Sequence, residues 1–345
     1  MNNNINKEEL TMNKLKYGVT ALCGTLAAVS AANAGEMTVK GGATATYSSN
    51  QQDVTGNPIG MNSGLTFTGT GELDNGTSFT LTITHADQDA YSASQIALTT
   101  PSMGTFTIDQ SGGGLDRIDD MMPTAWEETT GTSLGTGINN VNGVAASASV
   151  EWAAPTDMLM SGLTTHIAYT PRATQNAKAN DKGVGGAGDS VSGAGYDVVF
   201  QYGAIDGLNL FGGWSSIDQA SAGYDGDRNQ KSLGATYAMG GFTLGYQWSE
   251  DNKHALAEAS TNHYENTLYG ISFSVNDDLS LSYGYQESKR TLVNNSSVQA
   301  EVSSFQLSYS MGGASLKVAE TQGDNLNYGT GNDKDATTVA LTLAF

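Results

Sequence analysis

The residues best suited to chemistry crowd into one stretch. Residues 111–145 (SGGGLDRIDDMMPTAWEETTGTSLGTGINNVNGVA) carry Asp116, Asp119, Asp120, Glu127 and Glu128 against one base, Arg117, with Asp109 at the entry. A segment this long between strands is usually functional. Carboxylates lining a narrow water-filled passage have their field focused by its low-dielectric walls, and they draw cations. The same residues on a solvated surface loop would do nothing of the kind, and the sequence leaves both readings open. Nucleophilic chemistry finds no support: there is no Gly-x-Ser-x-Gly elbow, HExxH, P-loop or dinucleotide fingerprint. The Asp and Glu pairs sit in loops without an acid/base signature, so no enzyme is expected. His166, His85, His254 and His263 share no metal-ligand spacing. Asp225 with Asp227, and Asp333 with Asp335, lie in oxygen-rich segments that suit Ca²⁺ weakly and lack EF-hand spacing. They are equally well solvated acidic loops, or bridges through divalent cations to anionic lipid head groups. No other cofactor is implied.

The elements that position these residues read as strands. In the final stretch Val339, Leu341, Leu343 and Phe345 alternate with Thr338, Ala340, Thr342 and Ala344. A period of two separates the faces of a strand. The pattern recurs over residues 38–47, 64–73, 77–85, 92–99, 105–110, 146–154, 163–170, 195–205, 208–216, 232–239, 242–249, 266–275, 279–287, 300–311, 314–320 and 336–345, which makes sixteen strands. Short connections such as Asp74-Asn75-Gly76 and Gly240-Gly241 alternate with longer ones. Strands of about nine to eleven residues suit a tilted membrane crossing. One face is apolar with aromatics near the strand ends, and the other is Ser, Thr, Gly, Gln and Asn. In lipid such a sheet must close on itself. A soluble sandwich or β-helix is the alternative; the even count and the asymmetric connections weigh against it. The fold expected is an all-β, 16-stranded antiparallel transmembrane barrel. Parity puts Lys40, Glu72, Glu151, His166, Asp197 and Lys317 on its wet inner face, because a charge on the lipid face costs about 2–4 kcal/mol near mid-membrane.

Lys14 and Lys16 precede an apolar run over 17–28 that closes on Ala32-Asn33-Ala34. This is the layout of a secretory signal peptide, expected to comprise residues 1–34, with Met12 an alternative start. The barrel domain is then 35–345. The one cysteine, Cys23, falls inside the signal segment, so disulfides are not expected to stabilise the mature chain. The whole chain carries a net charge of −20, and loss of Lys7, Lys14, Lys16, Glu8 and Glu9 makes it −21. Nucleic acid is excluded as a partner at that charge.

Taken together, the signal segment, sixteen alternating strands, one long loop after the fifth and the terminal Phe345 resemble the trimeric general porins of Gram-negative outer membranes. The start Glu36-Met37-Thr38-Val39-Lys40-Gly41-Gly42 and the stretch Gly114-Leu115-Asp116-Arg117 are similar to the alphaproteobacterial branch. The resemblance implies a homotrimer in outer-membrane lipid, a Phe345 read by the barrel-assembly machinery, and a loop 111–145 folded into the lumen as a constriction. It also implies passive diffusion of small hydrophilic solutes and ions. Asp109, Asp116, Arg117, Asp119, Asp120, Glu127 and Glu128 would then form the constriction, with Arg117 holding the loop by pairing. General members commonly set a basic cluster on the facing wall, but residues 35–110 contain Lys40 and no other Lys or Arg. That departure points to cation preference. A substrate-specific channel, hinted at by Trp126, and a plugged barrel acting as an adhesin or structural protein are the alternatives.

Overall fold

The computed structural model describes residues 34–50, 58–87, 89–109, 112–131, 134–145, 147–173 and 192–344. The expected signal segment therefore lies outside the described residues except for Ala34, and so does Phe345. The strands are β1 (Ala34–Asn50), β2 (Ile59–Glu72), β3 (Ser78–Ala86), β4 (Asp89–Thr100), β5 (Gly104–Asp109), β6 (Ser149–Ala153), β7 (Leu163–Thr170), β8 (Ser192–Ile205), β9 (Leu208–Gln219), β10 (Arg228–Met239), β11 (Phe242–Asn252), β12 (Thr261–Ser274), β13 (Leu279–Leu292), β14 (Ser297–Met311), β15 (Ala314–Asp324) and β16 (Lys334–Ala344). Each pairs antiparallel with its sequence neighbours, and β1 closes on β16 from Gly42↔Ala344 to Asn50↔Ala336. The sixteen strands and closed antiparallel barrel expected from the alternation are thus present.

The alternation maps onto two faces. Leu233, Leu244, Tyr246, Tyr269, Ile271, Tyr283, Phe305 and Leu341 stand exposed on the outside. Gln230, Gln247, Gln286, Gln306, Thr321 and Thr338 are buried on the inside. A large exposed apolar belt around a polar interior is what a bilayer demands of a barrel. Aromatic rings mark the belt. Phe242 stacks on Phe273 at 4.2 Å beside the Gly240-Gly241 turn, and Tyr246 meets Tyr269 at 5.3 Å. Toward the other end Trp248 Nε1 donates to Glu265 at 3.1 Å.

One barrel end carries tight turns. At 73–77 the amide of Gly76 donates to Leu73 O at 2.9 Å with φ +80, a conformation that favours glycine. The opposite end carries the longer loops. Two connections depart from the expected asymmetry: residues 154–162 form a long link at the turn end, whereas β3 stops at Ala86 and β4 begins at Asp89 at the loop end.

Strand lengths depart further, running from 5 to 17 residues. β6 spans only Ser149–Ala153 rather than 146–154, so the long loop extends past Ala145. β10, β12 and β13 grow at the loop end, where pairing continues to Thr261↔Leu292. There both faces are polar, so hydropathy loses its period while the backbone ladder persists.

Ile271→Arg, in the middle of the exposed belt, is expected to destabilise the barrel by about 2–4 kcal/mol. Ser272→Arg, on the inner face, should cost clearly less. Denaturant titration of both variants folded into lipid vesicles measures the difference.

Candidate functional site

The described loop residues, 112–131 and 134–145, are bonded to inner-face side chains of the wall from β6 round to β14, with Lys317 of β15 over Trp126. Gly114–Ile118 forms a 3-10 turn in which Leu115 and Ile118 are fully buried. They pack with Met122, Val141, Val199, Phe211 and Leu268. The amide of Gly114 donates to Glu151 Oε2 at 2.7 Å, and the amide of Leu115 to Asp197 Oδ2 at 2.8 Å. On the return, the amide of Val144 donates to the same Asp197 oxygen at 3.0 Å. Asp197 thereby clamps both ends of the loop, and Arg117 grips Glu151 through Nε and a terminal nitrogen at 2.5–3.1 Å.

Beyond this base, polar side chains from successive strands take the loop's backbone groups. Gln247 accepts from the amide of Met121 at 3.0 Å and donates to the carbonyls of Ile118 and Asp119 at 2.8 and 2.7 Å. Ser282 Oγ accepts from the amide of Ala125 at 2.8 Å. Gln306 accepts from the amides of Trp126 and Glu127, both at 3.1 Å, and donates to Glu127 O at 2.9 Å. Coming back, Gln286 donates to Asn140 Oδ1 at 2.7 Å and Gln230 accepts from the amide of Gly143 at 2.5 Å. Buried loop amides need such partners, since an unpaired one costs about 1–3 kcal/mol.

Glycines make room for this contact. Gly245, Gly270 and Gly284 stand directly opposite one another across β11, β12 and β13. A Cβ on Gly270 would lie 2.8 Å from Pro123 Cδ, and one on Gly245 would lie 2.6 Å from it. Met122 and Pro123 therefore rest in a trough of bare backbone, and Thr129 covers Gly284.

The residues singled out from sequence fall as follows. Glu151, His166 and Asp197 are buried beneath the loop, with His166 Nδ1 3.1 Å from Glu151 Oε1. Glu151 and Asp197 bond the loop directly, and His166 reaches it only through Glu151. Lys317 reaches over the Trp126 ring at 5.8 Å. Asp109 accepts from Gln95 Nε2 at 2.8 Å on the wall. Lys40 and Glu72 are exposed on strands whose inner face is otherwise mostly Thr and Gly. Asp116 and Glu128 are exposed on the loop, whereas Asp119, Asp120 and Glu127 are half-buried. Burial pushes Asp119 up to about 7, with Asp116 and Glu128 adding repulsion. Burial also pushes Asp120 up to about 6, against a backbone hydrogen bond from Met122. Asp116 and Glu127 are raised by the same cause.

Of the calcium candidates, Asp227 accepts from Ser216 Oγ at 3.2 Å and Asp333 from the amide of Asn325 at 2.9 Å. Among the described residues no group of three His, Cys, Asp or Glu is placed to hold a metal. The anchors Gln230, Gln247, Gln286 and Gln306 and the glycine row had not been anticipated. Their only signal is a large amide or a glycine repeated on the inner parity of adjacent strands.

A closed barrel with an apolar exterior, a polar interior and a long loop within the bore defines a channel-forming membrane protein. The sequence matches the family model described as Gram-negative porin over residues 18–326, and the chain belongs to that family. It is thus an outer-membrane transport channel and not an enzyme. No curated protein sequence matches it. The structure is similar to Salmonella typhi OmpF in complex with daunomycin, at TM-score 0.68 and 16% identity over 90% of this chain and 98% of that one. It is also similar to an anion-selective porin from Comamonas acidovorans, at TM-score 0.63 and 16% identity over 90% and 99%. The trimer form of Vibrio cholerae OmpT aligns at TM-score 0.66 and 11% identity over 90% and 100%. At these identities the likeness carries the fold alone.

Glu151→Gln weakens the acceptor shared by Gly114, Arg117 and His166. Arg117 is partly exposed, so the cost should stay at about 1–2 kcal/mol, that of a charge-assisted hydrogen bond partly replaced by water. Trypsin cleavage after Arg117 in the folded protein is expected to accelerate; an unchanged rate would show that this contact does not fix the loop.

Proposed function

We propose that the protein is a general diffusion channel for small hydrophilic solutes and ions whose loop carboxylates favour cations. The observation carrying this reading is the commitment of Arg117, the loop's one base, to Glu151 on the wall. Asp116, Asp119, Asp120 and Glu128 keep no basic ion-pair partner among the described residues. Lys317 lies against Trp126 and acts on Glu127. The wall from β1 to β5 supports the same direction, because Lys40 is its one base. The presence of an anion-selective porin among structures of this fold means that ion preference rests on these side chains and not on the barrel.

The finer features of the family belong to the same proposal. Residues 1–34 are a cleaved signal peptide and 35–345 the mature barrel, with residues 111–145 forming the constriction. The protein assembles as a homotrimer, and the C-terminal strand with Phe345 engages the barrel-assembly machinery. The opening of β1 and the Gly114-Leu115-Asp116-Arg117 turn favour an alphaproteobacterial origin.

Single channels in planar bilayers under a salt gradient should give stepwise currents with a cation-directed reversal potential. Replacing Asp119 and Asp120 with Asn is expected to lower that potential by roughly half, since the field at the narrowest point sets selectivity. An unchanged value would remove these residues from the ion path.

The wild-type preference should also depend on pH. Below their raised values Asp119 and Asp120 are protonated and neutral; above them each adds a negative charge. Cation selectivity is therefore expected to climb between pH about 5 and 8, and the doubly Asn-substituted channel should lose most of this slope.

A further inference from the structure

Charge is divided unevenly by parity in the outer half of the barrel: Lys231 and Lys289 stand outward opposite Glu250 and Glu265, and Asp251 stands inward. On β11 to β14, Glu250, Glu265, Glu287 and Glu301 share the outward parity of Tyr246, Tyr269, Tyr283 and Phe305. The inward parity at the loop end carries bases instead. Arg228 on β10, Lys253 just past β11 and Arg290 on β13 continue the faces of buried Gln230, Gln247 and Gln286. Asp251, Tyr264 and Arg290 lie directly opposite one another across β11, β12 and β13. A net charge of −20 for the whole chain hides this basic inner rung.

Its construction leaves two cations unspent. Arg228 is neutralised by Asp251, through Nε at 2.7 Å and a terminal nitrogen at 2.8 Å. Asn139 of the inner loop donates to that carboxylate at 3.0 Å. Lys253 Nζ lies 5.0 Å over the Tyr264 ring, and Arg290 Cζ 5.1 Å over the Tyr328 ring. The two rings meet at 5.2 Å. Neither Lys253 nor Arg290 has a carboxylate within ion-pair distance among the described residues. Among the described residues Arg290 makes one side-chain hydrogen bond, to Tyr328 O at 3.3 Å. Burial draws the Lys253 ammonium below its usual range, with Asp251 opposing. Aromatic faces hold a cation in place and leave its N–H donors free for another acceptor.

We propose that Lys253 and Arg290, presented on Tyr264 and Tyr328, form a binding site at the outer mouth for the phosphate group of a small organic solute. An ammonium and a guanidinium fork supply charge-assisted donors that a phosphate oxygen accepts. The ring edge of half-buried Tyr264 contacts the body of the solute, while buried Tyr328 backs Arg290 from behind. The site stands on the wall at the loop end, away from the carboxylates of the inner loop, so it is separate from the selectivity proposed above.

Binding can be read without any current. Calorimetric titration of the detergent-solubilised full chain should show saturable heat with glucose 6-phosphate and none with glucose. Lys253→Met and Arg290→Gln are each expected to weaken binding at least about tenfold, the worth of one charge-assisted contact. Arg290→Lys should retain part of it, and Lys231→Met, whose side chain faces outward on β10, should leave it unchanged. Inorganic phosphate binding as tightly as the ester would mean that the oxyanion alone is recognised; weaker binding would assign the difference to Tyr264. Absence of heat in the wild type, equal affinity in Lys253→Met and Arg290→Gln, or equal binding of glucose would overturn the site. Lys253 lies outside the strands, so its variant tests the proposal even if Arg290→Gln fails to fold. A channel without cation preference would leave these titrations unaffected.

Discussion

A backbone amide facing hydrocarbon has no water to bond, and every other feature of this barrel follows from that constraint. The pairing of β1 with β16 removes the last two open edges. Once the sheet is closed, each strand has one face in lipid and one enclosed. The apolar residues must take the first, which leaves Ser, Thr, Gln and Asn to crowd the second. An enclosed polar wall needs partners of its own, and the inner loop supplies them: its amides and carbonyls meet Gln247, Ser282 and Gln306 across the bore. Loop and wall satisfy many of each other's groups, although Gln286 Oε1 and Asn266 Oδ1 stay buried without a partner among the described residues, and these bonds set the loop's path.

The sheet was largely written in the hydropathy of the chain, because the lipid belt forces a strict period of two. Where the belt ends, the period ends, and the loop-end extensions of β10, β12 and β13 could not be seen. β6 was overextended because Ala146–Ala148 alternates no better as strand than as loop. The course of the inner loop was not legible at all. Gln230, Gln247, Gln286 and Gln306 look like any polar alternates until register sets them beside the loop, and a row of glycines is invisible without knowing which strands are adjacent. Glu151 and Asp197 were expected on the inner face, and their burial under the loop depends on contacts far apart in sequence.

Electrostatics shows the same divide between sum and arrangement. A net charge of −20 taken by itself would suggest acid on every surface. Parity instead sends many of the outer-half carboxylates toward the outside, keeps Arg228, Lys253 and Arg290 within, and leaves the negative charge of the bore to the loop. Ion preference in such a barrel depends on which few charges face water at each depth, a quantity to which net charge is nearly blind.

The glycine trough beneath Met122 and Pro123 sets a limit on how this passage can change in calibre. No residue is smaller than glycine, so trimming the wall at 245, 270 or 284 offers nothing, and the loop already sits as deep as backbone contact allows. A single methyl there would push the loop toward the centre. Evolution can thus narrow this opening by one substitution in the wall, but to widen it the loop itself must be shortened or rerouted.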